Sequence, residues 1–182
     1  GRLALTGGGG AVIGNIAIGH LALDATGATA QHGNIAIGLS ALSAQNTATA
    51  DGVGATVNPN IAIGADAGAG ITSGDSNTII GYSSYSGAGG AGTGDDNVYI
   101  GARAAYSATT TASNVAIGYD ALYTSASGAY NVAIGHSALY TANENDNDGT
   151  VAIGYEACKV QAGTGGAQFA NATVGIGYKA LT

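Results

Sequence analysis

Large apolar and small residues alternate in short bursts along the chain. Each burst reads I-A-I or V-A-I, follows an Asn, and leads into a Gly, two variable residues and a small–large pair. A period of two places Ile16 and Ile18 on one face of a strand and Ala17 on the other. β-Branched residues suit a pleated strand, and the small Ala lets another layer approach closely. Gly19 ends the strand, because Gly accepts positive φ and tight turns. The small–large pair predicts a second short strand or a bend, with Leu23, Leu42, Leu122, Leu139 and Leu181 pointing inward. A helical reading is much weaker, since Gly recurs too often and the Val/Ile bursts are bounded by Asn and Gly.

The bursts are copies of one unit, N-[I/V]-A-I-G-x-x-A-L. It begins at Asn15, Asn34, Asn60, Asn77, Asn97, Asn114 and Asn131, and two further copies place Thr150 and Thr173 in the Asn position. The repeat glycines are Gly19, Gly38, Gly64, Gly81, Gly101, Gly118, Gly135, Gly154 and Gly177. Successive copies lie 19, 26, 17, 20, 17, 17, 19 and 23 residues apart, and the extra residues always fall between the A-L end and the next Asn. A constant core with variable inserts predicts a stacked solenoid. The expected fold is therefore all-β: a parallel β-solenoid of nine coils forming one continuous domain over residues 1–182. At about 4.8 Å per coil the rod is on the order of 43 Å long. Stacking aligns the Asn side chains into a hydrogen-bonded ladder. The sequence starts and stops inside a repeat, which reads as an internal stretch of a longer fibre.

Composition sharpens this picture. The 182 residues include 33 Gly and 38 Ala, and Leu, Ile, Val and Phe together number only 34. That apolar content is low for a globular core, yet the 8% charged residues are too few for ordinary disorder. Each coil carries three or four large apolar side chains, so one thin solenoid has little to bury. Three chains around a shared axis bury a second face of each coil, which predicts a homotrimer, with a monomeric solenoid as the alternative. The four basic residues give no footprint for nucleic acid, and no apolar run is long enough to span a membrane.

These repeats resemble the head repeats of YadA-like trimeric autotransporter adhesins. They are equally similar to the N-x-A-I-G-Y-x-A-L repeats of bacteriophage tail-fibre shafts. The resemblance implies a left-handed parallel β-roll in a trimer, extracellular, on a cell surface or on a virion, serving attachment. Longer coils and the A-L half depart from the adhesin form and favour the fibre shaft.

Candidate sites are few. Tyr82, Tyr119, Tyr155 and Tyr178 follow the repeat Gly, and Tyr123 and Tyr140 follow the A-L pair. Such columns offer ring faces to sugars; the plainer reading is a ladder of Tyr on Tyr. His20 and His136 share the post-Gly position and would hold a metal only if three chains met on an axis. Glu144, Asp146 and Asp148 imitate the first half of a calcium loop, but Tyr155 stands where its bidentate Glu belongs. Calcium is thus weighed against a solvated turn, and no other cofactor is implied. Asn171 opens a sequon for N-glycosylation, which chance alone also explains. Thr109, Thr110 and Thr111 offer O-glycan acceptors or extend a loop. Cys158 replaces a repeat Leu and reads as a buried small hydrophobe, with no partner signature for a catalytic thiol. The long inserts Ser43–Pro59, Ser86–Asp96 and Lys159–Ala172 sit where recognition loops sit on rigid scaffolds, and Ser86–Gly94 reads as a plain linker.

The expected function is a non-enzymatic shaft of an attachment fibre that spaces or presents a binding region, with itself as its partner. The alternative is a module that binds a cell-surface glycan or receptor through its inserts and Tyr columns. An ice-binding array is disfavoured, because Thr falls in irregular inserts.

Overall fold

In a computed structural model of the chain, the described residues are 4, 12–24, 31–45, 59–88, 91–142, 148–161 and 172–182. The fold is an all-β parallel β-solenoid. Its strands run in order β1 (Val12–Ile13), β2 (Ile16–Ile18), β3 (Gln31–His32), β4 (Ile35–Ile37), β5 (Ile61–Ile63), β6 (Thr78–Ile80) and β7 (Val98–Ile100). There follow β8 (Val115–Ile117), β9 (Thr124–Ser125), β10 (Val132–Ile134), β11 (Thr141–Ala142), β12 (Val151–Ile153), β13 (Val160–Gln161) and β14 (Val174–Ile176). The repeat bursts form one nine-stranded parallel sheet, ordered β14-β12-β10-β8-β7-β6-β5-β4-β2. Register is locked residue for residue, so that Val115, Ala116 and Ile117 pair with Val132, Ala133 and Ile134. A smaller three-stranded sheet, β13-β11-β9, follows the A-L bend, and β1 pairs with β3.

Alternation alone leaves open which face of the strand is inside. The structure puts the Ala face inward: Ala36, Ala62, Ala116, Ala133 and Ala152 are fully buried. They pack in the core with Leu23, Leu42, Leu122 and Leu139, whereas Leu181 is 59% exposed. The Ile and Val side chains point outward, half-buried or exposed. The A-L segment is a bend with left-handed residues at both of its corners, Asp120 (φ 55) and Leu122 (φ 51) in one repeat, Ser137 (φ 54) and Leu139 (φ 48) in the next. A left-handed Leu costs about 1–2 kcal/mol. Burial of its side chain and hydrogen bonds between stacked bends, such as Leu122 N–H to Ala138 O at 3.0 Å, offset that cost.

The repeat glycines have a second reason to be Gly. Gly118 sits at φ 136, and a Cβ there would lie 2.5 Å from the Gly135 carbonyl oxygen. The same approach recurs from Gly19 to Gly154, at 2.2–2.5 Å. The column is thus backbone stacked on backbone with no room for a methyl group.

Five repeats carry an altered core. Gly68 replaces the Leu, and a Cβ on it would meet Leu42, Ile71 and Ile79 side-chain atoms at 2.9–3.2 Å. The space goes to Ile79, which stands where other strands have Ala and is fully buried. Tyr99 replaces the next Ala, and packs edge-on against buried Tyr85 at 5.2 Å and 77°. Cys158 and Gly175 are matched differently: both are smaller than the Leu and Ala they replace, and Cys158 Sγ lies 2.3 Å from where a Gly175 Cβ would stand.

One insert departs from expectation. Ser86–Gly94 is not a plain linker where it is described: Gly92 N–H donates to Gly70 O at 2.8 Å and Thr93 N–H to Thr109 O at 2.9 Å. The reason is steric. A Cβ on Gly94 would collide with the Thr111 carbonyl oxygen, and one on Gly92 would crowd the Tyr85 ring and hydroxyl at 3.1–3.2 Å.

Candidate functional site

The Asn side chains of the repeat form a buried ladder. The Asn77, Asn97, Asn114 and Asn131 backbone N–H groups donate to the Oδ1 of the preceding Asn at 2.8–3.0 Å. Asn34 N–H donates to Asn15 Oδ1 and Asn60 N–H to Asn34 Oδ1 in the same way. The Nδ2 groups turn sideways to loop carbonyls, Asn114 to Gly128 O at 2.8 Å. Thr150 joins the ladder through its backbone, donating its N–H to Asn131 Oδ1 at 2.8 Å. From Asn34 to Asn114 these side chains are buried and hydrogen-bonded and hold the turn; Asn131 Nδ2 is buried without a hydrogen-bond partner among the described residues.

Two aromatic columns run along the surface beside the bend. In the first, Tyr119, His136, Tyr155 and Tyr178 stack at centroid separations of 5.1, 5.3 and 5.3 Å. In the second, Tyr106, Tyr123 and Tyr140 stack at 5.2 and 4.8 Å, with planes 10° and 1° apart. Tyr106 escapes sequence reading because Ala105 replaces the Leu before it, although its offset from Gly101 matches Tyr123 from Gly118. Between the columns runs a line of charged side chains. Arg103 Nε–H donates to Asp120 Oδ1 at 2.7 Å, and its guanidinium lies 4.9 Å from the Tyr119 ring centre and 5.2 Å from that of Tyr123. Farther along, Glu156 accepts from Lys159 at 2.7 Å and pairs with Lys179 at 3.5 Å. The Lys159 hydrogen bond holds the Glu156 carboxyl below its ordinary range, with burial opposing. Desolvation lifts the Tyr123 phenol, with Arg103 opposing.

This geometry limits sugar stacking. Tyr155 has a ring on each of its faces, and Tyr119 has His136 on one face and Arg103 against it. A sugar needs a free face, so only hydroxyls and ring edges remain at these two positions. Tyr82, 60% exposed, has no ring neighbour among the described residues.

The other candidates separate. His20 is exposed, and His136 Nδ1 lies 2.9 Å from Ser137 Oγ inside the first column. Asp148 Oδ1 accepts from Ala129 N–H at 2.7 Å, while Glu144, Asp146 and Asn171 lie outside the described residues. Among the described residues no three of His, Cys, Asp or Glu converge. Burial pushes the Cys158 thiol up and disfavours the thiolate. Thr109 and Thr110 both donate to Ala126 O, and buried Thr111 bonds the Tyr99 hydroxyl at 2.8 Å. Among the described residues no helix is long and apolar enough to cross a membrane.

The remaining surface is the outer face of the nine-stranded sheet. It presents two parallel rows of β-branched side chains, with Ile16 47%, Ile18 58% and Ile176 65% exposed. Nothing in the sequence distinguishes this face from an inner one until the Ala face is known to be buried. No protein-family model, no curated protein and no solved structure matches the chain.

Proposed function

We propose that the chain is a non-enzymatic shaft segment of an extracellular or virion attachment fibre, which spaces or presents a binding region. In this reading nine coils per chain form a left-handed β-roll, and three copies pack about a common axis.

The observation that carries the reading is the outer sheet face. Nine strands with two outward positions each give eighteen outward positions, and all but Thr78 are Ile or Val. Eight spacings of about 4.8 Å and a width of about 10 Å give a stripe of roughly 400 Å². A patch of that size is comparable to the largest apolar patch of an ordinary monomer, which is often a functional contact surface. A second and third copy fit it better than a polar partner, because the stripe is uniform and free of charge along its length. A net charge of −7 per chain favours solubility.

Light scattering on the purified chain, with electron microscopy of the same fraction, tests the reading. Three chain masses in thin uniform rods are expected, and Ile100→Asp at the middle of the stripe should reduce the mass to one chain. A single-chain mass for the unaltered protein would sink the trimeric shaft.

A further inference from the structure

We propose that the two aromatic columns are oxidative cross-linking sites, where neighbouring coils of one chain become joined through dityrosine. Tyr123 lies between Tyr106 and Tyr140 with nearly parallel planes, and Tyr155 lies 5.3 Å from Tyr178 at 10°. The spacing is imposed by the ladder: equivalent residues on stacked strands sit about 4.8 Å apart. Each phenol is therefore held against the next, whatever the length of the loop between them. Tyr106, Tyr123 and Tyr140 are half-exposed, and Tyr155 and Tyr178 more so, which opens them to an oxidant in solution.

The chemistry needs a one-electron oxidant, such as the oxidised haem of a peroxidase supplied with hydrogen peroxide. It takes one electron and the hydroxyl proton from a phenol, leaving a radical shared between the oxygen and the ring carbons ortho to it. A second phenol in the column is oxidised in the same way. The two radicals join by a carbon–carbon bond between ortho carbons. Each ring then regains aromaticity by losing the hydrogen at that carbon as a proton while its oxygen takes one up. Two phenols thus lose two electrons and two protons, and one peroxide accepts them and becomes two waters. In free solution the second radical must be met by diffusion; in the column it is already adjacent, which raises its effective concentration. Each ring swings out of the stack to bring the ortho carbons together, and the solvent side leaves it room. The product closes a loop of one coil and restrains the unfolded chain as a disulfide does.

The arrangement discriminates among the tyrosines. His136 separates Tyr119 from Tyr155, so those two phenols are two rungs apart and do not couple. Tyr85 and Tyr99 meet edge-on and buried, with their hydroxyls bonded to Thr109 O and Thr111 Oγ1. Tyr82 and Tyr130 are exposed and have no ring neighbour among the described residues. Links within one chain form in a monomer and a trimer alike, so the inference does not depend on the fibre reading.

The test treats the folded chain with peroxidase and limiting peroxide, then maps cross-linked peptides in the single-chain band of a denaturing gel. Expected are links from Tyr123 to Tyr106 or Tyr140 and from Tyr155 to Tyr178, each lacking two hydrogens. Unfolding the chain in urea first should lower their yield at least about tenfold. Tyr123→Phe should abolish the first link and spare the second. His136→Tyr should add a new link to position 119 or 155, a gain that general damage to the fold does not produce. Dityrosine confined to bands of joined chains, or a first link that survives Tyr123→Phe, would overturn the proposal. So would a His136→Tyr chain that folds and gains no link.

Discussion

Replacing Gly118 by Ala should be far more damaging than replacing Gly177, although both follow an identical I-G-Y setting. The two share a backbone strain, with φ at 136 and 128. For an Ala that strain costs about 1–3 kcal/mol. They differ in what lies over them. A Cβ on Gly118 would stand 2.5 Å from Gly135 O and 2.7 Å from Gly135 C, whereas one on Gly177 has nothing within 4 Å. Reaching a tolerable carbon–oxygen contact of about 3.3 Å requires the stacked backbones to part by roughly 0.8 Å. Parting them stretches the Gly135 N–H to Ile117 O bond, now 2.8 Å, and the pairing of β8 with β10. Overpacking adds about 1–3 kcal/mol, and weakened hydrogen bonds add about 1 kcal/mol each. Gly118→Ala should therefore cost about 3 kcal/mol more than Gly177→Ala. Urea unfolding followed by circular dichroism compares the two, and hydrogen exchange locates any local opening at the altered rung. A difference below about 1 kcal/mol would refute the claim that close backbone approach, rather than φ, selects Gly in this column.

Other outcomes follow from the altered core and the ionisable groups. Ile79→Ala alone should cost about 2–5 kcal/mol and Gly68→Leu alone about 1–3 kcal/mol; the double variant, which restores the common Leu–Ala pairing, should fall short of their sum by about 2 kcal/mol in a double-mutant cycle, and strict additivity would contradict the compensation. Burial raises the Tyr85 and Tyr99 phenols, Tyr99 the more strongly. Their stabilising effect is therefore complete below the unfolded value near 10 and is lost as the pH climbs above it. In an alkaline absorbance titration, two of the ten tyrosines should stay silent until the chain unfolds, and ionisation of all ten with the fold intact would contradict that burial. The depressed Glu156 carboxyl works in the opposite direction: its contribution is present above the ordinary carboxylate value and fades as the pH falls through the folded one. Lys159→Ala should move the Glu156 midpoint upward in a carboxyl NMR titration, and an unmoved midpoint would show that the pair is not formed in solution.

Much of the architecture is legible in the repeat. Asn114-Val-Ala-Ile-Gly118 declares its strand and turn, and its copies declare the stacking. The inward face is not, because a V-A-I triplet alternates equally well in either sense, and only the closeness of the opposing layer makes Ala the inner residue. Asn77–Tyr85 and Asn97–Ala105 look like decayed copies in the sequence. In the structure they are matched replacements: Ile79 fills volume that Gly68 leaves on the preceding coil, and Tyr99 packs against Tyr85 of the preceding coil. Such compensation joins residues on different coils, so no single copy displays it. The aromatic columns were half visible: post-Gly tyrosines mark one, while Tyr106 is hidden by the irregular A-A before it. Ser86–Gly94 misleads for a related reason, since Gly92 and Gly94 are there for close contact.

The glycine column also makes the solenoid behave as a ruler with fixed graduations. Neighbouring rungs touch through main-chain atoms, and those contacts cannot be lengthened or shortened by exchanging side chains. The rod therefore cannot stretch its reach by small steps. It changes length only by gaining or losing a whole rung, while the inserts between rungs vary in size without moving a single graduation.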